Sequence, residues 1–339
     1  MASPAPTTRP RHRLLLALAL VLLAPLVGEY LLGNQPITAL PAVLVLAPMY
    51  GCGALLIREG ARRAGRGWPT MLLLAAAYAL LEEGPIDQML WNPHYGDVDM
   101  GLAYADTQVS WLGTSAALLQ DVLAMHTVWS VCVPIALVEA FAADRSRPWL
   151  GRPGWALTGA VFVAGSAFLA VEQYRSGKFL ASTAQFAGAC AAIVVLIAAA
   201  FAVGRLRLPP WDVAAPAPWL VGTVAFAAGS AYWARDFLLP DGVSPWVAVA
   251  LWCVLAAGVG WLCARWSRTP GWGPRHRLAL TAGAVLTYVW LGFTHAREMD
   301  VPYGTALCGN VVFGAAALVL LGAATVRVRR QGVRTAEIG

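Results

Sequence analysis

The chain has 339 residues, of which 59% are hydrophobic and only 12% charged, with a formal net charge of +6 and a mean hydropathy of +0.62. That composition excludes an ordinary soluble enzyme and makes lipid the main solvent of the chain. The positive charge does not indicate nucleic acid either, because the basic residues are scattered between apolar runs instead of forming one aqueous basic face.

A hydrocarbon core of about 30 Å needs about 20 helical residues at 1.5 Å each. Ten apolar runs approach that length: Leu14 to Gly33, Ala39 to Ile57, Pro69 to Leu90, Gly113 to Ala142, Trp155 to Val171, Leu180 to Val203, Trp219 to Ala234, Ser244 to Ala264, Leu278 to His295 and Tyr303 to Val326. The predicted fold class is therefore all-α, a polytopic transmembrane helix bundle of about ten spans. Arg9 to Arg13 followed by Leu14 to Leu26 also matches the opening of a signal peptide. No A-x-A-like cleavage site follows, however, and the apolar run continues past Pro25, which favours a span.

Cytoplasmic loops of membrane proteins retain positive charge, and the arginines set the orientation accordingly. With both termini in the cytoplasm, all but four of the 24 basic residues fall on the inner side. The exceptions are Arg175, Lys178, Arg235 and Arg297. The outer loops instead carry acids: Asp97, Asp99, Asp106, Asp236, Asp241, Glu298 and Asp300. Tryptophans at Trp68, Trp149, Trp211, Trp266, Trp91, Trp111 and Trp246 mark the two interfaces. The expected location is the plasma membrane, multi-pass, with membrane lipids and a small-molecule or ion substrate as the expected partners.

The chain divides by character. Residues 1–13 form a cytoplasmic tail, 14–142 a four-helix membrane half rich in intramembrane ionisable groups, 143–326 a six-helix membrane half, and 327–339 a basic cytoplasmic tail. The second half resembles three consecutive hairpins, opening with the inner loops RPWLGRPGW at Arg147, RLRLPPW at Arg205 and RTPGWGPRHR at Arg268, a spacing that would suit a duplicated helix pair.

Charge inside hydrocarbon costs several kcal/mol, so an ionisable residue that persists there usually faces a partner, a cavity or a substrate. Glu82 and Glu83 lie toward the outer end of the third span, and Gly84-Pro85 interrupts the helix behind them. Pro85 supplies no N–H to the carbonyl of Leu81, leaving polar backbone beside two carboxylates. Asp87 follows one turn beyond Glu83. The fourth span returns with Asp121, then His126, with Ser130 one turn further on the same face. Glu29, near the outer end of the first span, is positioned to join them. The expected catalytic or proton-handling residues are Glu82, Glu83 and His126; the expected substrate- or ion-binding residues are Glu29, Asp87, Asp121 and Ser130. Glu139 is expected to pair with arginines near the inner face, and the run from Arg58 to Arg63 to meet anionic lipid headgroups.

The six cysteines lie singly in apolar runs, with no CxxC pair, and read as small buried hydrophobes. No metal and no cofactor is assigned from the sequence. No GxxxxGK[ST] occurs, so direct ATP-driven pumping by this chain is not expected.

The paired glutamates and the histidine of the next span resemble the CPBP (abortive-infection type) intramembrane proteases, which combine EExxxR with FxxxH and a later HxxxN. Here Asp87 stands at the arginine position, Val122 at the phenylalanine position, and Ser130 replaces asparagine if His126 also opens the third motif. The resemblance runs from Glu82 to Ser130 and implies a glutamate that activates water beside a histidine. More broadly, GEYLLGN at Gly28, YGCGALLIREGARRAGRGWP at Tyr50, EEG at Glu82 and HTVWS at His126 resemble an uncharacterised family of polytopic membrane proteins of high-GC Gram-positive bacteria, which implies location and no activity. The leading functional expectation is a transporter or permease-like protein for a small solute or ion. A CPBP-like intramembrane hydrolase using Glu82, Glu83 and His126 is second, and a non-catalytic scaffold or sensor third.

Overall fold

The computed structural model describes residues 10–96, 98–206, 209–240 and 242–336. Arg9, Asp97, Arg207 and Asp241 of the charge pattern lie outside the described residues, as do the side chains of Asp236 and Arg334. The chain is an all-α bundle. Helix α1 (Pro10–Pro25) continues as a π segment, Leu26–Tyr30, and a 3₁₀ turn, Ile37–Ala42, leads into α2 (Val43–Arg63). Helix α3 (Trp68–Leu81) continues as a second π segment, Glu82–Ile86. Two small antiparallel hairpins follow, β1 (His94–Tyr95) with β2 (Val98–Asp99) and β3 (Gln108–Val109) with β4 (Thr114–Ser115), separated by the short α4 (Met100–Ala103). The chain re-enters through α5 (Ala116–Ala124), a third π segment, Met125–Cys132, and α6 (Val133–Phe141). The second half comprises α7 (Arg152–Gly177), α8 (Thr183–Val203), α9 (Pro218–Trp233), the short α10 (Arg235–Leu238), α11 (Pro245–Trp266), α12 (Pro274–His295) and α13 (Tyr303–Ala336).

Among the described residues, eight helical segments are long and apolar enough to cross a membrane. The other two predicted spans are also helical but fall short in different ways. The seventh is the 16-residue α9, and the third combines 14 α-helical residues with a five-residue π segment that carries two glutamates. Helix α13 runs on through the basic segment from residue 327 to Ala336. The fifth span is longer than its apolar core, running from Arg152 to Gly177.

The centre of the bundle is made by α1, α2, α3 and the broken helix α5–π–α6. Helix α2 packs on α1, α3 and α7, while α3 packs on α8 and on the Met125–Cys132 segment. Helices α12 and α13 close the other side against α6, with α9 on the far face of α12. In α7, α8 and α11 the apolar windows are only 6%, 11% and 0% buried. Such helices are apolar all round yet unburied, the pattern expected when lipid is the solvent.

Close approach depends on missing side chains. Gly51 on α2 lies directly against the backbone of Val21 on α1, where any Cβ would overlap main-chain atoms. Small residues at such crossings are the usual means by which membrane helices pack by van der Waals contact. Gly51→Leu is therefore expected to destabilise the α1–α2 pair by at least about 1–3 kcal/mol, seen as a lower Tm and a smaller monodisperse fraction in detergent gel filtration; wild-type behaviour would refute the crossing. Gly33, at φ +90°, turns the chain out of the first span where Cβ-bearing residues would be strained.

One buried charge network ties α2 to the loop after α6. Arg58 is fully buried. Its Nη1 lies 2.6 Å from Glu59 and its Nε 3.1 Å from Glu139. Nη2 donates to the carbonyls of Arg145 and Arg147 at 3.3 and 2.9 Å, and the guanidinium stacks 3.5 Å above the Trp149 ring. Glu59 in turn accepts from the backbone N–H groups of Trp149 and Leu150, and Arg62 adds a second pair to Glu139 at 2.9 Å. The pairing expected for Glu139 is present. The expectation that the Arg58 to Arg63 run meets lipid headgroups is corrected: Arg58 and Glu59 face protein, because they lie in the last turns of α2 under the 145–151 loop.

Candidate functional site

Three of the central helices are broken at the same level, each by a π segment. In an α-helix the N–H of residue i bonds to residue i−4; here Leu31 N reaches Leu26 O at 2.9 Å and Asp87 N reaches Glu82 O at 2.8 Å, and Val133 N bonds Val128 O. Proline accompanies each break, Pro25 before the first, Pro85 within the second and Pro134 just after the third. A residue without an N–H cannot serve the i−4 carbonyl, and a wider turn is one way for a helix to absorb that loss. π segments recur at functional sites because they re-aim side chains out of helical register. The first carries Glu29, the second Glu82 and Glu83, the third His126 and Ser130.

Those side chains meet. Glu83 Oε1 lies 2.7 Å from His126 Nε2, and Glu82 Oε2 lies 3.1 Å from His126 Nδ1. The same Nδ1 is 3.1 Å from Ser130 Oγ, so the hydroxyl one turn along the helix steadies the ring. Taking one donor atom from each, Glu82, Glu83 and His126 offer a set whose members all lie within 4.8 Å of one another. The three residues are 0%, 3% and 3% exposed. Glu82 is about 20 Å along α3 from Trp68, and His126 about 15 Å from Ala116, in the middle of a helical segment long and apolar enough to cross a membrane.

The surroundings are aromatic and tight. The Tyr50 ring tilts against the His126 imidazole at 5.8 Å, and its hydroxyl donates to Glu29 Oε1 at 2.8 Å. Glu29 thus stands behind Tyr50, linked to the centre through that ring. Tyr78, one turn before Glu82 on α3, is buried beside it. Gly28 makes room for Ser130, whose Oγ would be 2.6 Å from a Cβ there. On the loop side, Trp91 closes over Gly84.

Asp87 lies next to the trio and accepts from the Tyr95 hydroxyl at 3.3 Å. Burial, then the neighbouring charges of Asp87 and Glu83, push the Tyr95 phenol up, which keeps it a neutral donor. Asp121 goes elsewhere: it pairs with Arg235 Nη2 at 2.8 Å and accepts from the Tyr232 hydroxyl, tying α5 to α9 and α10. Arg235 was legible as one of four basic residues on the acid-rich side, a breach of the charge rule that calls for a buried partner. Tyr78 was available from its i−4 spacing to Glu82. Tyr50 carried no such signal, because only folding brings α2 against the third π segment.

The balance of charge limits the chemistry. Among the described residues no arginine or lysine forms an ion pair with Glu82 or Glu83, so a protonated His126 offsets at most one of the two carboxylates. Glu82 Oε1 and Glu83 Oε2 make no hydrogen bond among the described residues, and Glu82 Oε2 meets His126 Nδ1 at 3.1 Å. Buried polar atoms are ordinarily paired, so this centre is suited to holding something positive, a proton or a metal cation.

The bundle and this centre define a multi-pass helical membrane protein with a buried ionisable cluster among its central helices. The model of an "Uncharacterized membrane protein family" matches residues 18–330, and the chain belongs to that family. No curated protein and no solved structure matches it.

Proposed function

We propose that this protein is a cation-coupled transporter or permease for a small solute or ion, seated in the plasma membrane with both termini cytoplasmic, and that Glu82, Glu83 and His126 form its coupling site. The observation that carries the reading is the convergence of three interrupted helices on a buried, negatively charged centre. Discontinuous helices near the middle of the membrane are how secondary transporters expose polar groups to a coupling ion. Glu29 behind Tyr50, and Asp87 beneath Tyr95, extend the line of carboxylates to either side of that centre.

The test is flux. Protein reconstituted into liposomes that enclose pH- and metal-sensitive dyes should pass protons or a divalent cation down an imposed gradient, with Glu82→Gln reducing the rate at least tenfold. Silence of the wild type under proton, sodium and divalent-cation gradients would overturn the proposal.

A second reading is favoured by one distance. The 2.7 Å approach of Glu83 to His126 is a direct hydrogen-bond distance, the contact by which a carboxylate and an imidazole share the proton of a general acid–base pair. Cleavage of a fluorogenic transmembrane peptide by the wild type, lost in Glu83→Gln and accompanied by no flux, would replace transport by intramembrane hydrolysis.

A further inference from the structure

We infer that Glu82, Glu83 and His126 are the ligands of a divalent first-row transition-metal ion held inside the membrane-spanning region. The inference deepens the transport reading by naming its cation, and it rests on that reading only for the ion's role, not for its binding.

Geometry supports it first. Ligands at about 2.1 Å from an ion in tetrahedral arrangement stand about 3.4 Å apart. The three donors already lie within 4.8 Å of one another, so a contraction on the order of 1 Å encloses an ion. The imidazole is also held in place. Nδ1 faces Ser130 Oγ and Glu82 Oε2, each at 3.1 Å; with the Nδ1 proton held by Ser130 and Glu82 drawn onto the ion, Nε2 is left to the metal, the usual effect of an outer hydrogen bond to a ligating histidine.

Charge supports it independently. Two ionised carboxylates and a neutral imidazole sum to minus two, and one divalent ion cancels them. A lone proton does not. The carboxylate oxygens without a hydrogen-bond partner, Oε1 of the fully buried Glu82 and Oε2 of Glu83, belong to the residues that would coordinate it. In a low-dielectric interior such groups need a cation or a proton to be tolerated.

Donor chemistry narrows the ion. Imidazole with two carboxylates suits Zn²⁺, Mn²⁺, Fe²⁺ or Co²⁺, whereas Ca²⁺ and Mg²⁺ prefer all-oxygen sets. Three protein ligands leave a position open, as exchange of the ion requires. Tyr78 offers a further oxygen beside Glu82, one helical turn away.

The experiment uses full-length protein in detergent, stripped with chelator, loaded with Zn²⁺ or Mn²⁺, desalted and assayed for bound metal. About one equivalent is expected, with a Tm raised by several degrees by saturating ion. Glu82→Gln, Glu83→Gln and His126→Gln should each lose the metal and the Tm response, Ser130→Ala should bind about tenfold more weakly, and the surface variant Glu172→Gln should match wild type. Co²⁺ loading of the wild type, read by its visible absorption and displaced by Zn²⁺, keeps the test intact if a variant fails to fold. A wild type that retains no ion and shows no Co²⁺ spectrum overturns the inference, as does retention of metal by folded variants of all three residues. Metal binding without flux would leave the inference standing and remove the transport reading; proton flux without metal would do the reverse.

Discussion

His126→Ala is expected to destabilise the metal-free protein by about 3–5 kcal/mol, the cost typical of removing one partner from a buried charged set. The imidazole stands between two carboxylates at 2.7 and 3.1 Å, all three nearly inaccessible, and its loss leaves both acids without the group that separates them. Glu83→Gln should cost less, about 1–3 kcal/mol, because the amide keeps the shape and one hydrogen bond while removing a charge. The distinctive result is in the double variant: His126→Ala with Glu83→Gln should recover part of the single-variant loss, since it removes a charge that has become unpaired. Chemical unfolding in detergent micelles measures all three. Equal stability of His126→Ala and wild type, or a double variant worse than the sum of the singles, would contradict the arrangement.

Arg58→Leu is expected to have an effect of similar size at the other end of the bundle. The side chain contacts two carboxylates, two backbone carbonyls and the face of Trp149, so its removal leaves several buried acceptors unpaired, with a loss of about 3–5 kcal/mol. Arg58→Lys should rescue little, because an ammonium cannot reproduce the planar fork that serves both glutamates and both carbonyls while stacking on an indole. Folded yield and Tm decide it. The contrast with the trio is chemical: the Arg58 network is richly hydrogen-bonded and reads as a clamp, whereas the Glu82–Glu83–His126 centre is short of partners and reads as a site.

The sequence carried the element plan well where the signal is local. Apolar length identifies helices, and each of the ten runs is helical, including α3 and α9, which are short for a span. Gly84-Pro85 announced a break in the third helix, and the break is there as a π segment. The sequence had no means of showing that the first and fourth spans break at the same level, because π turns at Leu26 and Met125 are set by packing around nearby prolines and not by composition. Asp121 illustrates the same limit. Read along the chain it belongs with the trio; in three dimensions Arg235, 114 positions later, takes it away.

What the sequence alone determined, then, is the solvent and the elements, since the transfer of apolar side chains and backbone amides from water to lipid depends on residue type and run length, both local quantities. The convergence of Glu82, Glu83 and His126, the Tyr50 bridge to Glu29, and the choice between lipid and protein for Arg58 were decided only by tertiary structure. Each of those depends on which faces of separate helices meet, and hydrophobic periodicity is nearly silent about that in helices that are apolar all round.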